Sequence, residues 1–506
     1  MDRRDFLITS LLGLGSGAHA NQQTPAIELT DNPFTLGIAS GDPTDTSIVL
    51  WTRLAPNPDA ARGDMPDTPV PVRWALASAA DMSATVATGT AMAVPTLAHS
   101  VHVDIDGLQP DRHYWYQFSV GGYTSAIGRT RTLPRRGSQP ASQRFVTTSC
   151  QNYTHGYFVA YQHMLHDQPQ FIVHLGDYLY DTSFGEDFRQ HETTAAPVTL
   201  DAFRRRHALY KTDVDLQRAH AQIPFFTVID NHDAIDDNDP ARRAQRTAAY
   251  QAWYEHMPVR GYHSIGASHF DLHRCIHLGQ LAQISLLDPR QFRDQKTPCA
   301  NAYPDYGFGN YRERCTHALD PQRSMLGAQQ QAWLDDVLAN NTAVWNVLAS
   351  PGPLLPFSYR HEGHDLRYIG AWDSYPANRE RVANALTAAP GHPLVLSGDV
   401  HSFWALDGRA VPDASERFEL VEFITSSVSA NWPALLSEPV QRNLPHNPHV
   451  TFYRGDKRGY LLHDVTEDAW TTTMCATSDA RDSNAVVERL ARFTVDVGKP
   501  GLRSNG

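Results

Sequence analysis

Five times along this 506-residue chain, a short apolar run ends in residues that can hold a metal ion or a phosphate. Phe145-Val146-Thr147-Thr148 leads into Ser149-Cys150-Gln151, and Phe171 to Leu175 leads into Gly176-Asp177-Tyr178-Leu179-Tyr180. Phe225 to Ile229 leads into Asp230-Asn231-His232-Asp233, and Ala282 to Leu287 into Asp288-Pro289-Arg290. The fifth run, Leu394 to Leu396, leads into Ser397-Gly398-Asp399-Val400-His401. Longer helical patterns, such as 202–220 and 329–340, separate the runs, so residues 143–500 read as an α/β domain. In an open α/β sheet the C-terminal strand ends face the ligand crevice, which brings residues as distant as Cys150 and His401 together. A lone Asp after a strand is commonly a helix cap. Five strand ends with complementary chemistry predict one site.

Residues 33–135 read differently. Segments 46–52, 70–77, 101–105 and 114–120 alternate apolar and polar residues, the pattern of half-buried strands. Gly107-Leu108-Gln109-Pro110-Asp111, just before the last of them, resembles the tyrosine corner of fibronectin-type sandwiches. The segment is predicted to be a small β-sandwich with a packing or binding role, followed by a linker at Pro134-Arg135-Arg136-Gly137-Ser138.

With 41 % hydrophobic and 19 % charged residues the chain can bury a large core, which excludes a disordered protein. Its net charge of −12 gives no counterion-release drive toward nucleic acid, so no nucleic-acid partner is expected. No glycine-rich Walker loop is present, which argues against a nucleotide-driven motor or kinase.

At the N-terminus, Arg3-Arg4-Asp5-Phe6-Leu7 precedes an apolar stretch ending near Gly17 and then Ala18-His19-Ala20, a small-x-small cleavage pattern. Arg-Arg-x-Phe-Leu resembles a twin-arginine export signal, the route for passengers that fold, often around a metal, before crossing the membrane. This implies the twin-arginine export machinery as a partner, cleavage after Ala20, and a periplasmic or secreted product. The apolar stretch is too short for a permanent span, and no later segment approaches one. Export permits disulfides. Cys299 and Cys315 flank residues 300–314 and can close that loop, for about 3 kcal/mol in the chain-entropy model. A Cys275–Cys475 bridge is a weaker pairing, and the odd count leaves Cys150 for chemistry.

Gly-Asp-x-x-Tyr, Asn-His-Asp and Gly-Asp-x-His, in that order after strands, resemble the motifs of calcineurin-like metallophosphoesterases. With Ser-Cys-Gln in front, the resemblance sharpens to the PhoD-like alkaline phosphatases, and Ser324 to Gly327 and Trp372 to Tyr375 also look like that family. It implies a two-sheet α/β/β/α core behind the sandwich, and metal-dependent hydrolysis of phosphate mono- and diesters with Fe(3+) and Ca(2+), by a monomer. The iron shell it implies is Cys150, Asp177, Tyr180 and His401, with Asp177 bridging to a second cation held by Asn231 and Asp399. A hard trivalent ion favours such anionic donors. The family's Asp-Asp-His-Glu stands here as Asp230-Asn231-His232-Asp233, and its later Asn falls at Asp236 or Asp237. We expect Asp236 to restore the charge that Asn231 removes. His232 is expected to donate the proton to the leaving oxygen, and Arg290 to orient substrate or brace the metal shell. The mechanism implied is in-line attack by a metal-bound hydroxide or oxide.

Arg204-Arg205-Arg206, His163, His166 and His220 read as structural or solvated. Residues 480–493 read as a helix long enough to form a lid. Two other functions fit the same residues: a phospholipase D-like phosphodiesterase on lipid head groups, and a surface-binding protein with a degenerate catalytic half.

Overall fold

Two β-sheets face each other across a single apolar layer. The computed structural model describes residues 29–185, 187–233, 240–261, 270–295, 299, 311–432 and 434–505, so the expected export signal and Asp236 lie outside the described residues. The first sheet has ten strands. At its centre Gln143–Thr148, Ile172–His174 and Phe225–Thr227 run parallel. The second sheet has seven strands, with Ala282–Leu286, Trp345–Ser350, His392–Ser397 and Val421–Ile424 parallel. Phe145, Phe171, Val173 and Phe226 of the first sheet pack on Ile284, Val347, Leu394 and Phe423 of the second.

Alternation along each strand sends the intervening residues outward. Val146, Ile172 and Phe225 meet Tyr161, Met164, Leu216 and Trp253 on the helices Ala160–Asp167, Val214–Gln222 and Arg243–His256. Leu348 and Val395 meet Leu334, Leu338, Val382 and Leu386 on Gly327–Ala339 and Pro376–Ala388. The core is therefore the expected α/β/β/α sandwich.

Strands form where the alternation predicted them in the N-terminal segment, including Val70–Ala77 and His113–Val120. The Tyr114 hydroxyl accepts a hydrogen bond from the Gln109 backbone N–H at 2.9 Å, closing a tyrosine corner. The segment is not set apart, however. Ile38–Gly41, Ile48–Arg53 and Ser100–Ile105 extend the ten-stranded sheet, Ile38–Gly41 lying beside Phe225–Thr227. The remaining strands form the facing sheet, over a core that includes Leu50, Val72, Val103 and Tyr116.

Three expectations fail. Residues 480–493 hold no helix. Val487–Asp496 is a strand paired antiparallel with Ala469–Thr477, because an open sheet edge satisfies its backbone where a lone helix would have nothing to pack on. The helical pattern over 202–220 is two helices, Leu200–Lys211 and Val214–Gln222, divided where the Asp213 carboxylate accepts from the Asp215 and Leu216 N–H groups. Cys275 and Cys475 are free thiols rather than a bridge, whereas Cys299 and Cys315 form a disulfide. The arginine run is mostly buried: Arg204 pairs with Glu255 at 2.6 Å, and Arg206 donates to the Tyr180 and Asp181 carbonyls at 2.7 Å.

Between the N-terminal strands and the core lies Lys211, which is buried. Its Nζ sits 4.6 Å from the Trp51 ring centroid and 5.2 Å from that of Tyr178, with no hydrogen-bond partner among the described residues. Burial holds its pKa well below the ordinary lysine value. Between that lowered value and the ordinary 10.5 the folded state binds fewer protons than the unfolded chain, so stability rises with pH across that window. Lys211→Met is expected to raise the unfolding temperature at pH 7 and to flatten its rise between pH 7 and 10. Thermal unfolding across that range checks this.

Candidate metal centre

Left-handed turns aim the candidate ligands. Cys150 (φ 58°), Asp177 (φ 51°), Asp399 (φ 70°) and His401 (φ 46°) all follow strands of the two sheets. For a non-glycine residue this conformation costs roughly 1–2 kcal/mol, a strain that packed strand ends can hold at a functional site. Two glycines make room. A Cβ on Gly176 (φ +95°) would lie 2.4 Å from the Asp230 Cβ, and one on Gly398 would lie 2.6 Å from the Ser149 Oγ. The turns are stitched together by Cys150 N–H to Gly176 O and Gln151 N–H to Asp177 O, both 3.1 Å.

Two donor groups result. Ligand atoms of Cys150, Asp177 and His401 lie within 4.8 Å of one another, and so do those of Asp177, Asp230 and Asp399. Asp177 belongs to both. The Tyr180 hydroxyl is 3.2 Å from Asp177 Oδ2 and 2.8 Å from His401 Nε2, which adds a phenol to the first group. His401 Nδ1 donates to the Asn431 carbonyl at 2.8 Å, leaving Nε2 as the lone-pair nitrogen. Burial pushes its pKa down to about 3, so the ring is neutral and able to ligate.

The electrostatics favour a cation. Burial, then neighbouring acids, pushes Asp177 up to about 6 against the pull of His232. Burial and Asp177 push Asp233 well above the carboxylate range. Burial likewise raises the Cys150 thiol and Tyr180 phenol, with Asp177 adding to both. Buried acids this close repel one another, and positive charge among them reverses each of these shifts. The thiol, phenol, imidazole and carboxyl set suits a transition metal. The carboxylate trio suits a hard, oxygen-seeking cation.

Not every anticipated residue has the anticipated place. Asp230, which sequence reasoning quoted but left without a role, stands in the carboxylate trio. Its signal was its position as the first residue after an apolar run. Asn231 is half-buried beside it. Arg290 donates to Asp230 and, at 3.0 Å, to the Gly370 carbonyl, and lies 4.0 Å from Asp399, so it braces the carboxylates. Asp233 accepts from the Tyr178, Leu179 and Asp230 N–H groups and shapes the loop.

The His232 backbone N–H donates to Asp177 at 3.0 Å, and its Nδ1 donates to Asp181 Oδ1 at 2.7 Å. Its ring lies on Tyr180, with centroids 4.2 Å apart. Burial opposes a charge on this ring, but Asp177 and Asp181 outweigh it and lift the pKa to about 9, so His232 carries a proton at neutral pH. Asp181 was missed because nothing in the sequence around it marks it.

Family models match both parts of the chain: PhoD-like phosphatase over residues 145–474, and PhoD-like phosphatase, N-terminal domain, over 19–134. Alkaline phosphatase D of Bacillus subtilis (strain 168) is 36 % identical over 529 residues, covering 99 % of this chain and 89 % of the relative. The solved structure of PhoD superposes with a TM-score of 0.86 at 34 % identity, over 95 % of this chain and 94 % of that one. Purple acid phosphatase PPD1 from yellow lupin seeds shares the fold, with a TM-score of 0.58 at 12 % identity over 92 % of this chain and 74 % of that one.

Gly176→Ala is expected to displace Asp230 and to lower stability by about 1–3 kcal/mol, from steric overlap and the forbidden φ. Metal content and denaturant unfolding of the variant check this.

Proposed function

Because the chain belongs to the PhoD-like phosphatase family, whose members are metal-dependent phosphoric ester hydrolases, we propose that it cleaves phosphate mono- and diesters at the Asp177 centre. The observation that carries this reading is the sharing of Asp177 between two donor groups of different chemistry. Cys150, Asp177, Tyr180 and His401 would hold Fe(3+). Asp177, Asp230, Asp399 and the adjacent Asn231 would hold Ca(2+). Bound there, the ions supply positive charge against the phosphoryl oxygens and acidify a water molecule.

The chain's own residues do the rest. Arg290 fixes Asp230 and Asp399 against their mutual repulsion. Asp181 holds the His232 ring by Nδ1 and favours its protonated form, so Nε2 can deliver a proton to the departing oxygen. The phosphorus gains a hydroxyl from water as the bond to the leaving alcohol breaks; that alcohol departs with the His232 proton, and the proton the water gives up is released to solvent, from which His232 is reprotonated. Residues 1–20 would direct twin-arginine export with cleavage after Ala20, so the exported protein is expected to begin at Asn21 by intact mass.

Elemental analysis of protein purified without chelator is expected to find iron and calcium, both lost with Asp177→Asn. Zinc or no metal would overturn the assignment. His232→Asn is expected to slow hydrolysis of alkyl phosphates about 10²–10⁴-fold. It should slow p-nitrophenyl phosphate far less, because p-nitrophenolate departs without a proton. Equal losses on both substrates would remove His232 from the proton-donor role.

A further inference from the structure

A cavity of about 40 Å³ adjoins the Asp399 side of the metal centre. Leu355, Trp404 and Ile424 form its buried floor, and Phe357, Tyr368, Val400 and Trp432 its half-exposed rim. The rim is continuous with the site. Val400 lies between Asp399 and His401, Tyr368 shares a hydrogen bond with Asp399, and Trp432 follows the residue whose carbonyl fixes His401. Asp373, the one acid among the described lining residues, is held by Arg314 at 2.7 Å and Arg379 at 2.6 Å, and most of the lining surface is apolar. His232 is not among the lining residues; it is anchored to Asp177 and Asp181.

We propose that this cavity is a subsite for the arm of a phosphodiester that stays on phosphorus, and that it selects a short apolar alcohol group. The proposal rests on the phosphoesterase reading above. The cavity is lined beside Asp399 and not by His232, so the arm it would take is the one that stays on phosphorus rather than the one that departs. Forty cubic ångströms is about three water-sized positions, room for about three carbons. Such a pocket leaves the charged phosphate outside, because burying a polar group without partners is costly. Water adds to phosphorus, the bond to the leaving alcohol breaks, and the product keeps the apolar arm as an alkyl phosphate.

The test uses metal-loaded full-length protein and methyl, ethyl and propyl p-nitrophenyl phosphates, which share one leaving group. The kcat/KM value is expected to rise about fourfold per added methylene. Ile424→Phe, which fills the floor, should bring the propyl-to-methyl ratio close to one. Should that variant not fold, Trp432→Ala, which opens the rim, should lower the same ratio. A flat series in the wild type, or a ratio that survives whichever variant folds, would overturn the subsite. A choline arm preferred over its neutral isostere, 3,3-dimethylbutyl, would overturn the apolar selectivity in favour of a cation site. Failure to hydrolyse any of these esters or p-nitrophenyl phosphate would instead sink the phosphoesterase reading itself.

Discussion

The crowding of acids around Asp177 is the constraint on which the rest of the site depends. Asp177, Asp230 and Asp399 bring carboxylate oxygens within 4.8 Å of one another in the interior, with Asp233 close behind. Carboxylates this near and this buried cannot all be charged without compensation. The protein compensates with Arg290, with backbone N–H groups aimed at Asp177 and Asp233, and with a geometry that leaves a cation as the remaining partner. The two-sheet core makes that arrangement tolerable. Strand ends locked by paired neighbours on both sides cannot relax out of their left-handed turns to relieve the repulsion.

Much of this was legible in the sequence because it rests on local rules. Alternation placed Val70–Ala77 at both ends, and apolar runs followed by Gly-Asp or Ser-Cys located the strand ends that converge. What escaped depends on contacts between distant segments. The strand Val487–Asp496 exists because Ala469–Thr477 offers it an edge, and no local pattern encodes that offer. The division at Asp213 hinged on one capping carboxylate inside a pattern of helical period. Asp230 and Asp181 take their places from tertiary contacts, the first with Arg290 and the second with His232. The segment around Asp236, where charge compensation was expected, lies outside the described residues.

The sandwich and the catalytic half read as separate units in sequence because turn-rich and helix-rich stretches alternate so differently. In the structure they share a sheet, and side chains seal the joint. Trp51 Nε1 donates to the Glu255 carbonyl at 3.1 Å, and Arg274 donates twice to Asp42. Domain boundaries drawn from composition miss such a seam, since hydrogen bonds between backbone segments carry no compositional mark.

The ten-stranded sheet also sets the order in which the protein can be made. Its central strand pairs Thr147 with Leu461, and Gly41 must wait for Phe225, so neighbours in space are far apart along the chain. Closing such long loops is slow, and until Arg458–Val465 leaves the ribosome the sheet has an unsatisfied edge beside Gln143–Thr148. A nascent chain of this topology stays incomplete, with strand edges prone to pairing with other chains, until those distant strands are made. Its maturation is therefore post-translational by construction: neither half of the molecule can finish without the other.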